Sequence, residues 1–522
     1  MKIHIVFAEV ILAFLVAMGL RAMIVKNEKA PVSPSFLNEQ KMKSMIFCSP
    51  DWNVLDEDSL AMAIGPLPGW GTYNWKISSK SDSAQFYFNQ GINMYYAFHI
   101  IEAMASFKKA QTFDDTEPMI YWAQALAYGP NINDLEYNAA PEAANAAMKA
   151  VTLSKNLSPK EKALIDAMAV RYSKDTSISR ASLDEAYTRA MEAASKSIND
   201  ADVHALFADA IMLQHPWRYW KANGEPESWT PELIGILEKV LAMQPAHPGA
   251  NHYYIHATEA SPTPQRALAS ADRLGVMMPG VSHMVHMPSH VYIRSGHYEK
   301  GIAVNETAVK AYDKYLELYP DVVNKLDIYL IHNLHMQAAC AMLRPNYAYA
   351  LKSGELARKS FDSSFLSLPA PVGNFAQYVY VTPQLVKLRF GKWADLAAEP
   401  AIPENYVYAH LLDSWARGMA AAASGNKKDA EKYLAALRKS LKHPDLEVVM
   451  GPFNAPKSSG LVAEKLLEGM MSEKFGKIDE AVDLYKQARV LEDSLIYTEP
   501  RDWLIPSRHY LANSLIKTER YK

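Results

Sequence analysis

The sequence predicts an all-α chain, and three observations carry that prediction. From about residue 84 to residue 522, Ala-rich amphipathic stretches of 10 to 15 residues alternate with short Pro, Gly or Asn turns. The apolar/polar alternation of β-branched residues that marks a half-buried strand is scarce. The 522 residues are 49% hydrophobic and 21% charged, the composition of a folded protein with a large core. A formal charge of −3, with no basic block, excludes the clustered Lys and Arg that nucleic-acid binding needs. Cys48 and Cys340 are far apart and outside any Cys-x-x-Cys unit, so neither a disulfide framework nor a thiolate zinc site is indicated.

Taken in order, residues 1–25 read as a signal peptide or an N-terminal anchor. Met1-Lys2 leads to the apolar run Val10 to Leu20, bordered by Glu9 and Arg21, which is short for a membrane span and suits a signal-peptide core. Ala17-Met18-Gly19 offers small residues for cleavage, while Arg21 and the stretch Ala22 to Val25 fit membrane anchoring instead. The expectation is an exported protein, periplasmic or anchored facing the periplasm. Residues 26–83 form an irregular lead-in containing Pro, Gly and Ser, notably Gly65-Pro66-Leu67-Pro68-Gly69-Trp70-Gly71. Trp70, Tyr73 and Trp75 are placed there to cap the first helices. Residues 84–522 are the helical domain.

Within that domain a pattern of small and aromatic residues recurs. Gln90-Gly91 is followed by Ala103, Phe107 and Ala110; Gly469 by Gly476, Ala481, Tyr485 and Ala488; and Gly418 by Gly425 and Ala430. Gly296-x-Tyr298 with Gly301 and Ala308, Pro345-x-Tyr347 with Ala350 and Ala357, and Gly391-x-Trp393 add partial copies. The chain resembles the tetratricopeptide repeat family, in an exported bacterial form with a His-rich centre, over most of residues 84–522. That resemblance implies a right-handed α-solenoid of 34-residue helix-turn-helix repeats. Small residues let two helices approach closely, and the large aromatic is expected to fill the space between neighbouring repeats. Trp503 to Lys517 reads as the first helix of a further repeat.

The histidines carry the chemistry. In Asn251 to Glu259, His252, His256 and Glu259 are spaced four and three apart, one face of a helix. His283, His286 and His290 repeat the three-and-four spacing, with Pro288 expected to bend the helix between them. His252 and His286 are 34 residues apart, as are His256 and His290, which is the repeat length. His332 and His335, beside Met336, lie on the next first helix. The resemblance implies that these eight candidates, seven imidazoles and Glu259, face one concave groove from three successive helices. Nitrogen donors with at most one carboxylate suit zinc, copper or iron and not calcium or magnesium. Met284, Met287 and Met336 tilt the choice toward copper, although Met is also ordinary core filler.

Two readings follow. One is a His-rich transition-metal centre in the groove, held by His252, His256, His283, His286, His290, His332 and His335. In an enzyme of that kind Glu259 is the candidate general base; storage or delivery of metal is the non-catalytic version. The other is a non-enzymatic periplasmic scaffold that binds a peptide, protein or small-molecule ligand in the same groove. His99 with Glu102 reads as a helix-surface pair or an addition to the site, and Phe88, Tyr95 and Tyr96 as groove or packing residues. Tyr497-Thr498-Glu499-Pro500 with Trp503 and Arg508 is a charged aromatic turn that is either structural or closes the groove. There is no phosphate-binding Gly-rich loop, no Gly-x-Ser-x-Gly elbow and no His-Glu-x-x-His motif.

Overall fold

A computed structural model of the chain describes Trp52, residues 55–133, Tyr137, and residues 140–318, 328–360, 362–449 and 453–520. All belong to one compact unit, residues 46–522. The expected export segment, residues 1–25, and Cys48 lie outside the described residues.

The described residues form helices in the order α1 (Glu57–Ala63), α2 (Asp82–Tyr96), α3 (Ile100–Phe113), α4 (Pro118–Ala127), α5 (Pro141–Leu153), α6 (Pro159–Ala169), α7 (Arg180–Ser197) and α8 (Ala201–Gln214). There follow α9 (Thr230–Met243), α10 (Pro248–Glu259), α11 (Leu268–Met277), α12 (Ser282–His286), α13 (Pro288–Arg294), α14 (Tyr298–Leu318), α15 (Ile328–Leu343) and α16 (Tyr347–Lys359). The last are α17 (Val372–Tyr380), α18 (Thr382–Arg389), α19 (Trp393–Ala398), α20 (Val407–Ala423), α21 (Lys427–Ser440), α22 (Pro456–Lys474), α23 (Ile478–Asp493) and α24 (Ser507–Lys517). Sequential helices pack as pairs, α2 on α3, α20 on α21 and α22 on α23 among them, and each pair leans on the next. This is the all-α array of helical repeats that the sequence predicts. No described helix is long and apolar enough to cross a membrane.

Local chemistry sets the helix starts. Ser81 and Asp200 accept hydrogen bonds from the first free backbone N–H groups of α2 and α8, and Ser158 with Glu161 forms a reciprocal capping box on α6. Proline occupies the first turn of α4, α5, α6 and α10, where its missing N–H costs nothing.

The repeating glycines have a contact role. A Cβ built on Gly91 of α2 falls 2.4 Å from the Phe107 ring of α3, and one on Gly469 of α22 falls 2.5 Å from the Tyr485 ring of α23. The aromatic therefore lies over the glycine of its own helix pair, where the sequence reading had put it between neighbouring repeats. With Phe107 fully buried and unable to retreat, Gly91→Ala is expected to cost about 1–3 kcal/mol as overpacking. A lower denaturant midpoint with an unchanged slope checks this.

After α1 the described lead-in, residues 64–81, runs without helix and in no ladder with another described segment, so its backbone needs other partners. One face of α2 supplies them. Gln85 Oε1 accepts from the N–H of Ile77, Asn89 Oδ1 from that of Trp75, and Gln90 Oε1 from that of Leu67, while Asn93 Nδ2 donates to the Tyr73 carbonyl. Tyr73 and Trp75 are buried against the helices, as packing residues and not as helix caps in the hydrogen-bonding sense. The Tyr73 and Tyr96 hydroxyls both donate to Asp202 Oδ1, at 2.6 and 3.2 Å, and Lys160 Nζ reaches Oδ2 at 2.7 Å. Burial works against the charge on Asp202, yet His247 and Lys160 hold its carboxyl down at about 2. A carboxyl depressed in the folded state adds stability above its unfolded value near 4 that is lost as pH falls through about 2. That shift is worth about 2 kcal/mol, so Asp202→Asn should flatten the fall in stability between roughly pH 4 and pH 2. Denaturant melts across that range are the measurement.

Candidate metal centre

Three segments bring the histidines together. Helix α10 carries His252, His256 and Glu259; the pair α12 and α13, broken at Pro288 as expected, carries His283, His286 and His290; and α15 carries His332. The ligand atoms of His252, His256 and His283 lie within 4.8 Å of one another, and so do those of His286, His290 and His332. His252 Nε2 is 3.1 Å from Nε2 of both His256 and His283. His290 Nε2 is 2.7 Å from His286 Nε2 and 3.4 Å from His332 Nε2. Two trios of imidazole nitrogen are thus gathered side by side in the interior.

The other ring nitrogens fix where the protons are. His252 Nδ1 is 2.7 Å from the Tyr96 carbonyl, which only accepts, so Nδ1 carries the hydrogen and Nε2 a lone pair. His286 Nδ1 is 2.6 Å from Asn305 Oδ1, an assignment secured because Asn305 Nδ2 donates to the Gly301 carbonyl. His290 Nδ1 donates to Glu259 Oε2 at 2.7 Å and to Glu499 Oε2 at 2.6 Å, and His256 Nδ1 to Glu259 Oε1 at 3.0 Å. As neutral rings, the His252–His256 and His286–His290 pairs therefore point lone pair at lone pair. That contact is repulsive between neutral rings, and a cation between them turns it into attraction.

Burial opposes a proton as that cation on five of the six rings. Burial pushes His252 down to about 3, and it drives His256, His283, His286 and His332 well below the usual imidazole value, with each neighbouring ring adding to the effect. A metal ion fits better. Two nitrogens bound at about 2.05 Å to one ion stand about 2.9 Å apart at a right angle and about 3.3 Å apart at the tetrahedral angle. The separations from the middle ring of each trio, 2.7 to 3.4 Å, lie around that span, and the third separation in each is within 4.8 Å. Hydrogen bonds from Nδ1 to a carbonyl, a carboxylate and an amide are the outer partners that orient ligating histidines.

Glu259 joins the trios, since its two oxygens take one imidazole N–H from each. Burial and the charge of Glu499 raise its carboxyl well above the ordinary range. The two carboxyls hydrogen-bond to each other, so the proton they retain lies between them and leaves Oε1 as an acceptor. Burial would raise Glu499 as well, but His290 beside it outweighs this and keeps it low. Both oxygens of Glu259 meet imidazole N–H groups, and its carboxylate forms a third possible ligand group with His256 and His290. Glu499 is also hydrogen-bonded by the Tyr497 side chain of its own turn.

His335 does not join either trio. Three residues beyond His332 on α15, it meets Tyr378 edge-on at 5.2 Å instead. Burial holds it at about 3, and its Nε2 has no partner among the described residues. Met284 and Met287 belong to the apolar core. His99 pairs with Glu102 and stacks on Tyr329 outside the trios. Phe88 is packed against Trp75 and Phe107, and the Tyr95 hydroxyl donates to Asp209, so neither is a groove residue.

The sequence reading gave no role to several residues that complete the centre. Phe98 and Trp217 have φ of 59° and 62°, a region costly for residues with a Cβ. Phe98 lies 4.5 Å from the His252 ring and 5.9 Å from His256, and Trp217 is edge-on to His256 at 5.3 Å. Both aromatics shield the first trio, and no periodicity announces a residue in a strained turn. Glu499 arrives from the Tyr497–Pro500 turn, with Arg294 stacked over Tyr497 at 5.1 Å, so that turn does close on the histidines. Beside Glu499 lies a cavity of about 130 Å³ whose wall includes His335, Tyr378, Phe453 and Asp502.

No family model and no curated protein matches this sequence. Among solved structures, the crystal structure of the P58(IPK) TPR domain aligns at 12% identity over 84% of this chain and 99% of that one, with a TM-score of 0.19. A score of that size adds nothing to the fold, which stands on the helix pairs themselves.

Proposed function

We propose that the chain is a metal-dependent enzyme whose two histidine trios hold transition-metal ions, His252, His256 and His283 one of them and His286, His290 and His332 the other. The observation that carries this reading is the convergence of three imidazoles in each of two groups, with ligand atoms within 4.8 Å of one another. All-nitrogen sets suit zinc, copper or iron. An ion held by either trio would supply Lewis-acid or electron-transfer chemistry to a small oxygen-containing molecule.

The chain's own groups then have separate tasks. Glu259 holds one ligand of each trio at a fixed orientation. Phe98 and Trp217 keep bulk water from the first trio. Glu499, kept ionised by His290, holds that ring from the side opposite its Nε2. The scaffold reading needs the same histidines as contact residues on an open groove, and His252, His256, His283, His286 and His290 are at most 4% exposed. Burial therefore favours the metal reading. With the N-terminal apolar run taken as an export signal, the centre works outside the cytoplasm.

Elemental analysis of the chain purified without chelator tests the proposal. The expected result is zinc, copper or iron in simple stoichiometry to protein. A chain that holds none of the three, even after reconstitution with each, overturns it.

A further inference from the structure

The two trios differ in what surrounds them. One ring, Phe98, lies against all three imidazoles of the first trio, with centroids 4.5 Å from His252, 5.9 Å from His256 and 6.0 Å from His283. It runs close to parallel with the His256 and His283 rings, at 16° and 27°. Each of the three has a further aromatic neighbour: Tyr253 beside His252 at 5.8 Å, Trp217 beside His256 at 5.3 Å and Tyr329 beside His283 at 4.7 Å. The second trio has no such wall. Among the described residues, the only rings that meet His286, His290 and His332 are other imidazoles. His332 is also the one ligand of the six that is not fully buried.

The backbone goes against its own preference to hold Phe98 there. Helix α2 closes with the His99 N–H on the Met94 carbonyl at 2.9 Å and the Phe98 N–H on the Tyr95 carbonyl at 3.0 Å. That ending puts Phe98 in the left-handed region, φ 59°, where helices ordinarily place glycine or asparagine. Tyr96, the last residue of α2, turns its carbonyl to the His252 Nδ1 hydrogen. Strain kept beside a cluster of ligand atoms points to a function for the side chain that causes it. Metal sites are of two kinds, structural ones closed by the protein and catalytic ones that keep a position for water or substrate. We propose that Phe98 closes the first trio, and that the second trio alone takes the small exogenous molecule, which enters past His332. This inference deepens the function proposed above and rests on it.

Copper(II), the divalent ion that nitrogen sites hold most tightly, provides the test through its visible absorption in full-length chains that keep one trio each. His332→Ala retains the first trio and His283→Ala the second, and both leave the contacts of Glu259 with His256 and His290 in place. Azide titrated into each copper-loaded chain should change the spectrum of the His283→Ala chain. It should bind the His332→Ala chain at least about tenfold more weakly, since a position open a tenth of the time or less lowers apparent affinity by that fraction. Adding Phe98→Gly to the His332→Ala chain should erase that difference with copper content unchanged. Glycine suits the left-handed backbone, so the ring is removed without straining the helix end. Phe98→Leu, which keeps most of the buried volume, should give an intermediate affinity and carries the comparison if the Gly variant loses copper. In the chain with both trios, azide should reach one copper ion of the two, and both after Phe98→Gly. Equal azide binding by the two single-trio chains, azide binding by neither, or an affinity that Phe98 substitution leaves unchanged overturns the assignment and leaves the metal reading intact. A native chain that takes up no copper overturns the metal reading itself.

Discussion

Chain carrying His256→Ala and His290→Ala together is expected to emerge from purification without stoichiometric metal, because each substitution removes one Nε2 donor from a different trio. Two imidazoles with no third partner bind a divalent ion too weakly to survive dialysis, and the loss should be complete for both ions. The single variants separate the trios: His256→Ala should empty the first and His290→Ala the second, each halving the metal content. The double variant should also unfold at the same temperature with or without chelator, whereas native protein should lose thermal stability when chelator strips its ions, since a ligand bound only by the folded state stabilises it. Equal metal content in native and double-variant protein would contradict the assignment of these residues as ligands.

Glu259→Gln has the second largest expected effect, although Glu259 donates to neither trio. Its carboxyl accepts the Nδ1 hydrogens of His256 and His290 at 3.0 and 2.7 Å. A glutamine offers one oxygen and one NH2 group, so one imidazole N–H must face another donor and its ring must turn or change tautomer. Turning either ring moves a ligand nitrogen in one trio. Loss of such an outer partner typically weakens metal binding about 10–100-fold, and competition with a graded chelator measures it. A Gln variant that holds metal as tightly as native chain would show that the carboxylate does not orient the rings.

The fold was legible because its causes are local. The Gly91 to Phe107 and Gly469 to Tyr485 spacings record close helix approach, and caps such as Ser81 and Asp200 mark where helices begin. The same periodicity placed His252, His256, His286 and His290 on common faces, and the structure brings their Nε2 atoms into contact range. Periodicity fails where a face must be divided more finely than a turn. His332 and His335 are three residues apart, yet one reaches the second trio and the other faces Tyr378. It fails again where tertiary contact selects a loop residue. Nothing in the sequence near Glu499 names His290 as its partner, and Phe98 and Trp217 owe their positions to turns whose conformation runs against ordinary backbone preference. The Asn305 amide that fixes His286 is equally invisible, being one polar residue on an amphipathic helix until its neighbour is known.

The contact between Glu499 and His290 also sets a chronology. A ribosome delivers a chain from its N-terminus, and segments fold as they emerge. All six trio histidines leave before residue 333, and their helices can close on one another while the segment bearing Glu499 is still unmade. The carboxylate that spans centre and cavity is therefore the last component to arrive. Under the proposed metal reading, ions that enter early would meet a nest of imidazoles open on the side Glu499 later occupies, and their release from the finished protein would require the Tyr497–Pro500 turn to lift, making the C-terminal helices the timekeepers of how long the centre stays loaded.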